Sequence, residues 1–183
     1  MFQIDVFPDN TEVNRQGHLV IGGCDVVGLA EQFGTPLYIL DEATLRDRCR
    51  QFTSKFHKLH DETTVAYASK AYINKALARI FMEEGLSLDV VSGGELAVAK
   101  SAQFPMDKIY FHGNNKSKEE LQDSLESEIG RIVVDSFYDL ELLDNLALQA
   151  GKRQDVLIRV SPGVDPHTHV YTTTGILDSK FGF

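Results

Sequence analysis

Five short apolar segments of this 183-residue chain each end in side chains that can handle protons, charge or a carbonyl group. They are Lys70 after VAYAS, Asp89 and Ser92 in LDVVS, His112 and Asn114 in IYFHGNN, Asp135 and Ser136 in IVVDS, and Arg159 in VLIRV. Lys70 raises the sharpest chemical question, because an ammonium group closes a stretch that otherwise reads as a buried strand. A lysine amine set against an apolar wall near other cations loses its proton more easily and attacks aldehydes. Two outlets follow: a Schiff base with a carbonyl substrate, or one with pyridoxal phosphate. Asp89 could orient the lysine or hydrogen-bond a cofactor, and the residues by themselves leave both chemistries open. Each residue also has a plainer reading. A lysine at a strand end can snorkel to solvent, Asp135 or Ser136 can cap the next helix, and His112 can sit satisfied in a loop. Arg159, inside an apolar strand, needs a partner. The recurrence of polar groups at the same strand position is more specific than any one of them.

The elements that would position these groups alternate regularly. Strands are expected at 64–70, 87–92, 108–113, 131–136 and 155–162. Between them lie NKALARIFMEEG, GGELAVAKSAQ, KSKEELQDSLESEIG and FYDLELLDNLALQAGK, with apolar residues at helical spacing. Ser117 and Ser136 are expected N-caps, and Gly85, Gly130 and Gly151 are expected to stop helices. Such alternation argues for βα units and a parallel sheet, in which all strand carboxyl ends lie on one face. The SGGE turn at 92–95 reads as a tight strand-to-helix turn in preference to a phosphate cradle. Earlier in the chain, HLVIGG and PLYILDE read as short strands and CDVVGLAEQFG as a helix ending at Gly34. Asp41 is the candidate N-cap of a following helix. A doubly wound sheet and a (β/α)8 barrel both fit, but a barrel takes about 250 residues and only about five strands are visible here.

Composition narrows the function classes. The formal net charge is −9, from 27 acidic and 18 basic residues, and no Lys/Arg cluster offers a face for nucleic acid. Cys24 and Cys49 form no disulfide framework and have no metal-ligand spacing, so a reducing compartment and no metal are expected. The N-terminus lacks a signal-peptide pattern, and no apolar run approaches the roughly 20 residues of a membrane helix. A soluble cytoplasmic protein is the expectation.

The segments YASKA, LDVVSGGEL, IYFHGNNKS, VDSFYDLELL, IRVSPGVDPHTH and YTTTGILDSKFGF, in this order from about residue 35 onward, carry a resemblance. The chain resembles the alanine-racemase-like family of pyridoxal-phosphate-dependent decarboxylases, and within it the branch acting on diaminopimelate. The HTH…TG…DSKFGF tail separates that branch from ornithine- and arginine-decarboxylating relatives. The resemblance implies an α/β fold, a partial (β/α)8 barrel holding about the first five βα units over residues 42–183. Residues 1–41 would be strands of a second, β domain. It implies that Lys70 is the Schiff-base lysine, that Asp89 lies near it, and that Arg159 lies under the cofactor ring system. His112 and Asn114 match the family at the pocket rim. One departure is YASKAY in place of the family's YAVKAN. Ser69 should point away from the cofactor by strand alternation.

The activity implied is decarboxylation of meso-2,6-diaminopimelate to L-lysine and carbon dioxide, the last step of lysine biosynthesis, by a homodimer with pyridoxal 5'-phosphate. Family members are considerably longer, so the chain is expected to be part of such an enzyme and inactive alone. Five strands of eight would leave open edges, and low stability or edge-to-edge association is expected. A cooperative, monomeric thermal transition would contradict that expectation. Two other readings stand beside this one: a non-catalytic pyridoxal-phosphate-binding barrel protein, and a decarboxylase of ornithine, arginine or carboxynorspermidine. The tail motif and the N-terminal β segment weigh against the first, and the tail alone against the second.

Overall fold

The computed structural model of the chain describes residues 6–164 and 181–183. The HTH…TG…DSK part of the tail therefore lies outside the described residues, and only its last three residues, 181–183, are described. Those described form two compact units, one up to Thr63 and one from Thr64 onward.

The first unit opens with an antiparallel meander of β1 (Glu12–Val13), β2 (Leu19–Ile21) and β3 (Cys24–Asp25). Ile21 pairs with Cys24, so Gly22 and Gly23 form a two-residue turn. Both have positive φ, 56° and 79°, as a primed hairpin turn requires. Asp25 then caps α1 (Val26–Phe33), accepting from the N–H groups of Val27 and Gly28. His18 Nδ1 lies 3.0 Å from the same carboxylate, and this hydrogen bond is the main reason that Asp25 sits below the usual carboxylate range. Asp41 caps α2 (Glu42–His57) as expected, accepting from Thr44 N–H at 2.7 Å. PLYILDE is a correction: no strand forms there, and Tyr38 and Leu40 are exposed. An apolar alternating run becomes a strand only where another strand takes up its N–H and C=O groups, and no described segment does so.

The second unit follows the βα alternation closely. Its strands are β4 (Ala66–Ala68), β5 (Ser87–Val90), β6 (Ile109–Phe111), β7 (Arg131–Val134) and β8 (Val156–Ile158). They form one parallel sheet in sequential order, β4-β5-β6-β7-β8. A doubly wound sheet would reverse its strand order at a switch point; unbroken sequential order with one covered face is barrel wall. The helices are α3 (Lys75–Glu83), α4 (Gly93–Ser101), α5 (Lys118–Glu126) and α6 (Phe137–Ala150). They pack on the face carrying Leu88, Val90, Ile109, Phe111, Ile132 and Val134, all fully buried. Tyr67 of β4 points the same way and stacks on Phe81 of α3. Among the described residues no helix is long and apolar enough to cross a membrane.

Caps read from the sequence recur here. Ser117 and Glu120 form a complete capping box on α5, and Ser136 caps α6 through Asp139 N–H. Gly85 and Gly151 have φ of 78° and 62° at helix ends. Gly130 is a correction: α5 ends at Glu126, and Gly130 terminates nothing. Its place is set by crowding, since a Cβ there would stand 2.0 Å from the carbonyl oxygen of Asp107, whose chain lies alongside. Gly130→Ala is expected to destabilise the protein by roughly 3 kcal/mol or more, because backbone must move. Gly28→Ala, in open space within α1, should stabilise by about 0.5–1 kcal/mol. Urea unfolding of both variants checks the contrast, and equal effects would show that the Asp107 contact is not binding.

Candidate active site

The inner face of the sheet, opposite the helices, is lined by a different class of residue. Parity along each strand assigns Ala66, Asp89, Tyr110, His112, Val133 and Leu157 to it, and together they border a cavity of about 290 Å³. A larger hollow of about 410 Å³ lies at the amino-terminal end of the sheet, beside Leu125, Ile129 and Gln154. Its polar groups close helix and strand ends: Lys152 donates to the Leu125 carbonyl and Gln154 to the Ile129 carbonyl. The first cavity, by contrast, brings together Asp89, Tyr110 and His112 on the inner face of the sheet.

Lys70 follows Ala66 and Ala68 in inner-face parity, in the turn just beyond β4. The ladder continues far enough for Ser69 N–H to reach the Asp89 carbonyl at 2.9 Å. Ser69 itself turns to the opposite side and is buried, its hydroxyl without a hydrogen-bond partner. Lys70 is exposed, not buried at a strand's inner end. The reason is local: β4 is an edge strand of the described sheet, and the alanines below Lys70 are too small to wall it in. No described side chain pairs with its ammonium group.

Asp89 and His112 meet across β5 and β6. Register places Asp89 beside Tyr110, and His112 is the next inward residue on β6. The imidazole Nδ1 lies 2.8 Å from Asp89 Oδ1. A carboxylate only accepts, so Nδ1 carries the hydrogen and Nε2 is the ring nitrogen left for other contacts. The His112 backbone is fixed as well, its N–H donating to the Val90 carbonyl at 2.7 Å.

Arg159 has the partner that its apolar strand demanded. Its guanidinium lies 3.2 Å from Asp135 Oδ1 and 3.9 Å from the Phe181 ring centroid. The Gly182 N–H donates to the other Asp135 oxygen at 2.9 Å. Asp135 is thus more than a cap residue; the α6 cap is Ser136. Beside β8, Phe183 N–H donates to the Arg159 carbonyl and Ser161 N–H to the Phe183 carbonyl, the pattern of a parallel pair.

The SGGE turn binds its own anion. Gly93 N–H donates to Glu120 Oε1 at 2.6 Å, Glu95 N–H donates to the Ser92 hydroxyl that caps α4, and the Glu95 carboxylate accepts from Val91 N–H. The amino end of α4 is therefore filled by a side-chain carboxylate, in keeping with the tight-turn reading. Two rim residues escaped the sequence reading. Lys116 and Asp139 form a buried ion pair at 2.7 Å, with side chains 1% and 10% exposed. Gly113 to Ser117 has the composition of a polar turn and Asp139 stands in the first turn of α6; nothing in either local pattern signals burial.

Arg159→Met should cost about 3 kcal/mol, the low end for a broken buried pair, since Asp135 is 6% exposed but Arg159 27%. Denaturant unfolding checks this, and a loss under about 0.5 kcal/mol would mean that the pair behaves as a surface one.

Residues 42–183 match the family described as pyridoxal-dependent decarboxylase, pyridoxal binding domain. Diaminopimelate decarboxylase of Bacillus subtilis (strain 168) is 55% identical over 170 residues, covering 93% of this chain and 39% of that protein. The crystal structure of diaminopimelate decarboxylase from M. jannaschii in co-complex with L-lysine superposes with a TM-score of 0.83 at 37% identity, over 96% of this chain and 41% of that one. The lysine/ornithine decarboxylase of Vibrio vulnificus, complexed with cadaverine, gives a TM-score of 0.61 at 26% identity, over 75% and 35%. The chain spans about two fifths of the length of the curated relatives it matches.

Proposed function

We propose a function from one premise: this chain belongs to the pyridoxal-dependent decarboxylase family. Lys70 is the residue that holds the aldehyde of pyridoxal 5'-phosphate, and the substrate is meso-2,6-diaminopimelate, converted to L-lysine and carbon dioxide. The observation that carries this reading is an amine that no described residue pairs with, on a rim where Asp89 is tied to His112 and Asp135 to Arg159. The residues present fit the cofactor. The amine is accessible to an aldehyde, the alanines beneath it leave room, and the cavity beside it presents Asp89, Tyr110 and His112. When bound, the pyridoxal ring supplies a sink for the electron pair left as a carboxylate departs as carbon dioxide.

The chain's own residues bind and orient. Asp89 fixes the imidazole of His112 through Nδ1, leaving Nε2 for a hydrogen bond to a bound molecule. Arg159, anchored by Asp135 and by the face of Phe181, holds a fixed positive charge on the same rim. Identity of 55% to a diaminopimelate decarboxylase against 26% to a lysine/ornithine decarboxylase supports the choice of substrate. In the same reading the barrel comprises residues 42–183, with residues 1–41 contributing strands to a second, β domain. The working enzyme is a cytoplasmic homodimer.

The test is covalent. The chain is incubated with pyridoxal phosphate, reduced with borohydride, and digested for mass spectrometry. The expected result is a single modified peptide containing Lys70, absent from Lys70→Ala, with lysine release from diaminopimelate as the follow-on assay. Label spread evenly over surface lysines, or unchanged in Lys70→Ala, would overturn the assignment.

A further inference from the structure

Lys116 is the most deeply buried charge on the rim, and the chemistry described so far makes no use of it. Its ammonium group has three hydrogens and three acceptors: Gly113 O at 2.6 Å, Val133 O at 2.7 Å and Asp139 Oδ2 at 2.7 Å. Removing an ammonium and a carboxylate from water costs several kcal/mol, and an apolar pair of similar volume is often as stable or more so. Stability therefore does not account for a lysine at this place. Its two carbonyl partners do. The last paired residues of β6 and β7 are Phe111 and Ile132. Val133 O is a carbonyl that the ladder leaves behind where β6 turns out of the sheet, and Gly113 O belongs to the residue immediately after His112. Gly113 is held on its other side too. Its φ is 109°, and a Cβ there would stand 3.1 Å from the Val91 carbonyl. The turn after His112 is thus clamped between β5 and the Lys116 ammonium. Asp139 completes the clamp by accepting from Asp135 N–H at 3.2 Å, which ties it to the base of the Arg159 pair.

We propose that Lys116 is a positioning residue whose buried ammonium fixes the turn after His112 and so keeps the imidazole on Asp89 with Nδ1 protonated. The ammonium supplies the hydrogen bonds that a continuing β6 would have supplied, at the point where the strand must leave the sheet to carry His112 to the rim. The inference deepens the proposed function, because the orientation of His112 decides which ring nitrogen faces a bound cofactor. Its test needs no cofactor, so it can fail while the Lys70 assignment stands, and the reverse.

The readout is the tautomer of His112 in the full 183-residue chain, from long-range proton–nitrogen spectra at about pH 8, above the ordinary imidazole range. The His112→Gln variant assigns the signals. The parent should show the Nδ1–H form, against the Nε2–H form that free imidazole side chains favour. In Lys116→Met/Asp139→Leu both charges are replaced by apolar groups, which removes the penalty of an unpaired buried charge. This double variant should fold, yet lose the Nδ1–H signature. Leu146→Ala, a buried truncation on α6, should lose stability and keep the signature. A folded double variant that retains the Nδ1–H form overturns the proposal. A second measurement holds even if the double variant does not fold: acetylation of the native parent, followed lysine by lysine, should leave Lys116 the least modified. Modification of Lys116 as fast as Lys55 or Lys58 would show that the clamp does not exist and would equally overturn the proposal.

Discussion

The parallel ladder from β4 to β8 is the constraint on which the remaining features depend. Parallel strands all leave the sheet at the same edge, and adjacent residues alternate between its faces. One face takes Leu88, Val90, Ile109, Phe111, Ile132 and Val134 against the helices, all without exposure. Complete removal of such side chains from water is worth about 1.5–3 kcal/mol each, as an upper bound. No single polar contact in the unit approaches that sum, so the apolar face sets the register. A slip by one residue in β5 would exchange Leu88 and Val90 for Asp89 on the helix side, at the cost of a buried charge. The position of Asp89, and through it of His112, is therefore fixed by its apolar neighbours.

That same ladder creates a problem at its carboxyl edge, where each strand departs and leaves carbonyls unpaired. The protein meets it with side chains and with added backbone bonds. Lys116 takes the Val133 carbonyl, Ser69 N–H carries β4 one bond further onto Asp89 O, and Asp135 takes Gly182 N–H. Three hydrogen-bonded pairs of ionisable residues line this edge: Asp89 with His112, Lys116 with Asp139, and Asp135 with Arg159. They differ in depth, from half-exposed at His112 to wholly enclosed at Lys116. The deeper pairs add rigidity in preference to net stability, and the shallow one keeps a ring nitrogen available.

Local patterns and distant ones were not equally legible in the sequence. The five strands and the caps at Asp41, Ser117 and Ser136 could be read directly, because period and capping depend on residues within a few positions of one another. The alternation left the sheet order open between a doubly wound sheet and a barrel, and only the resemblance implied the barrel. The placement of Lys70, Asp89, His112 and Arg159 at or just beyond strand carboxyl ends was legible for a related reason, and of these Asp89 and His112 line the inner-face cavity. PLYILDE was misread because its apolar alternation has the form of a strand, while a strand also requires a neighbour. Gly130 was misread because a glycine after a helix has two causes, a left-handed cap or a close backbone, and only the position of Asp107 distinguishes them. Lys116 could not be found at all. Its burial comes from Val133 and Asp139, 17 and 23 positions further along the chain, and a lysine beside two asparagines and a serine looks solvated in any local window.

Lys70 is best understood against these pairs. Of the ionisable residues that line the rim, it is the one for which no described residue provides a counter-charge, although the carboxylate of Asp89 stands on the neighbouring strand β5. Asp89 is directed to His112, and Asp135 to Arg159. Had Asp89 been given to Lys70, forming a bond from its amine would first require breaking a charge-assisted hydrogen bond, worth about 1.5–3 kcal/mol. Pairing the acids elsewhere leaves the amine unencumbered while its surroundings stay fixed. A nucleophile gains most when its neighbours are already in place and it alone remains to react. In the proposed reading His112 thus does two things at once: it occupies the Asp89 carboxylate that stands on the strand next to Lys70, and it keeps Nε2 on the rim where a bound molecule would lie.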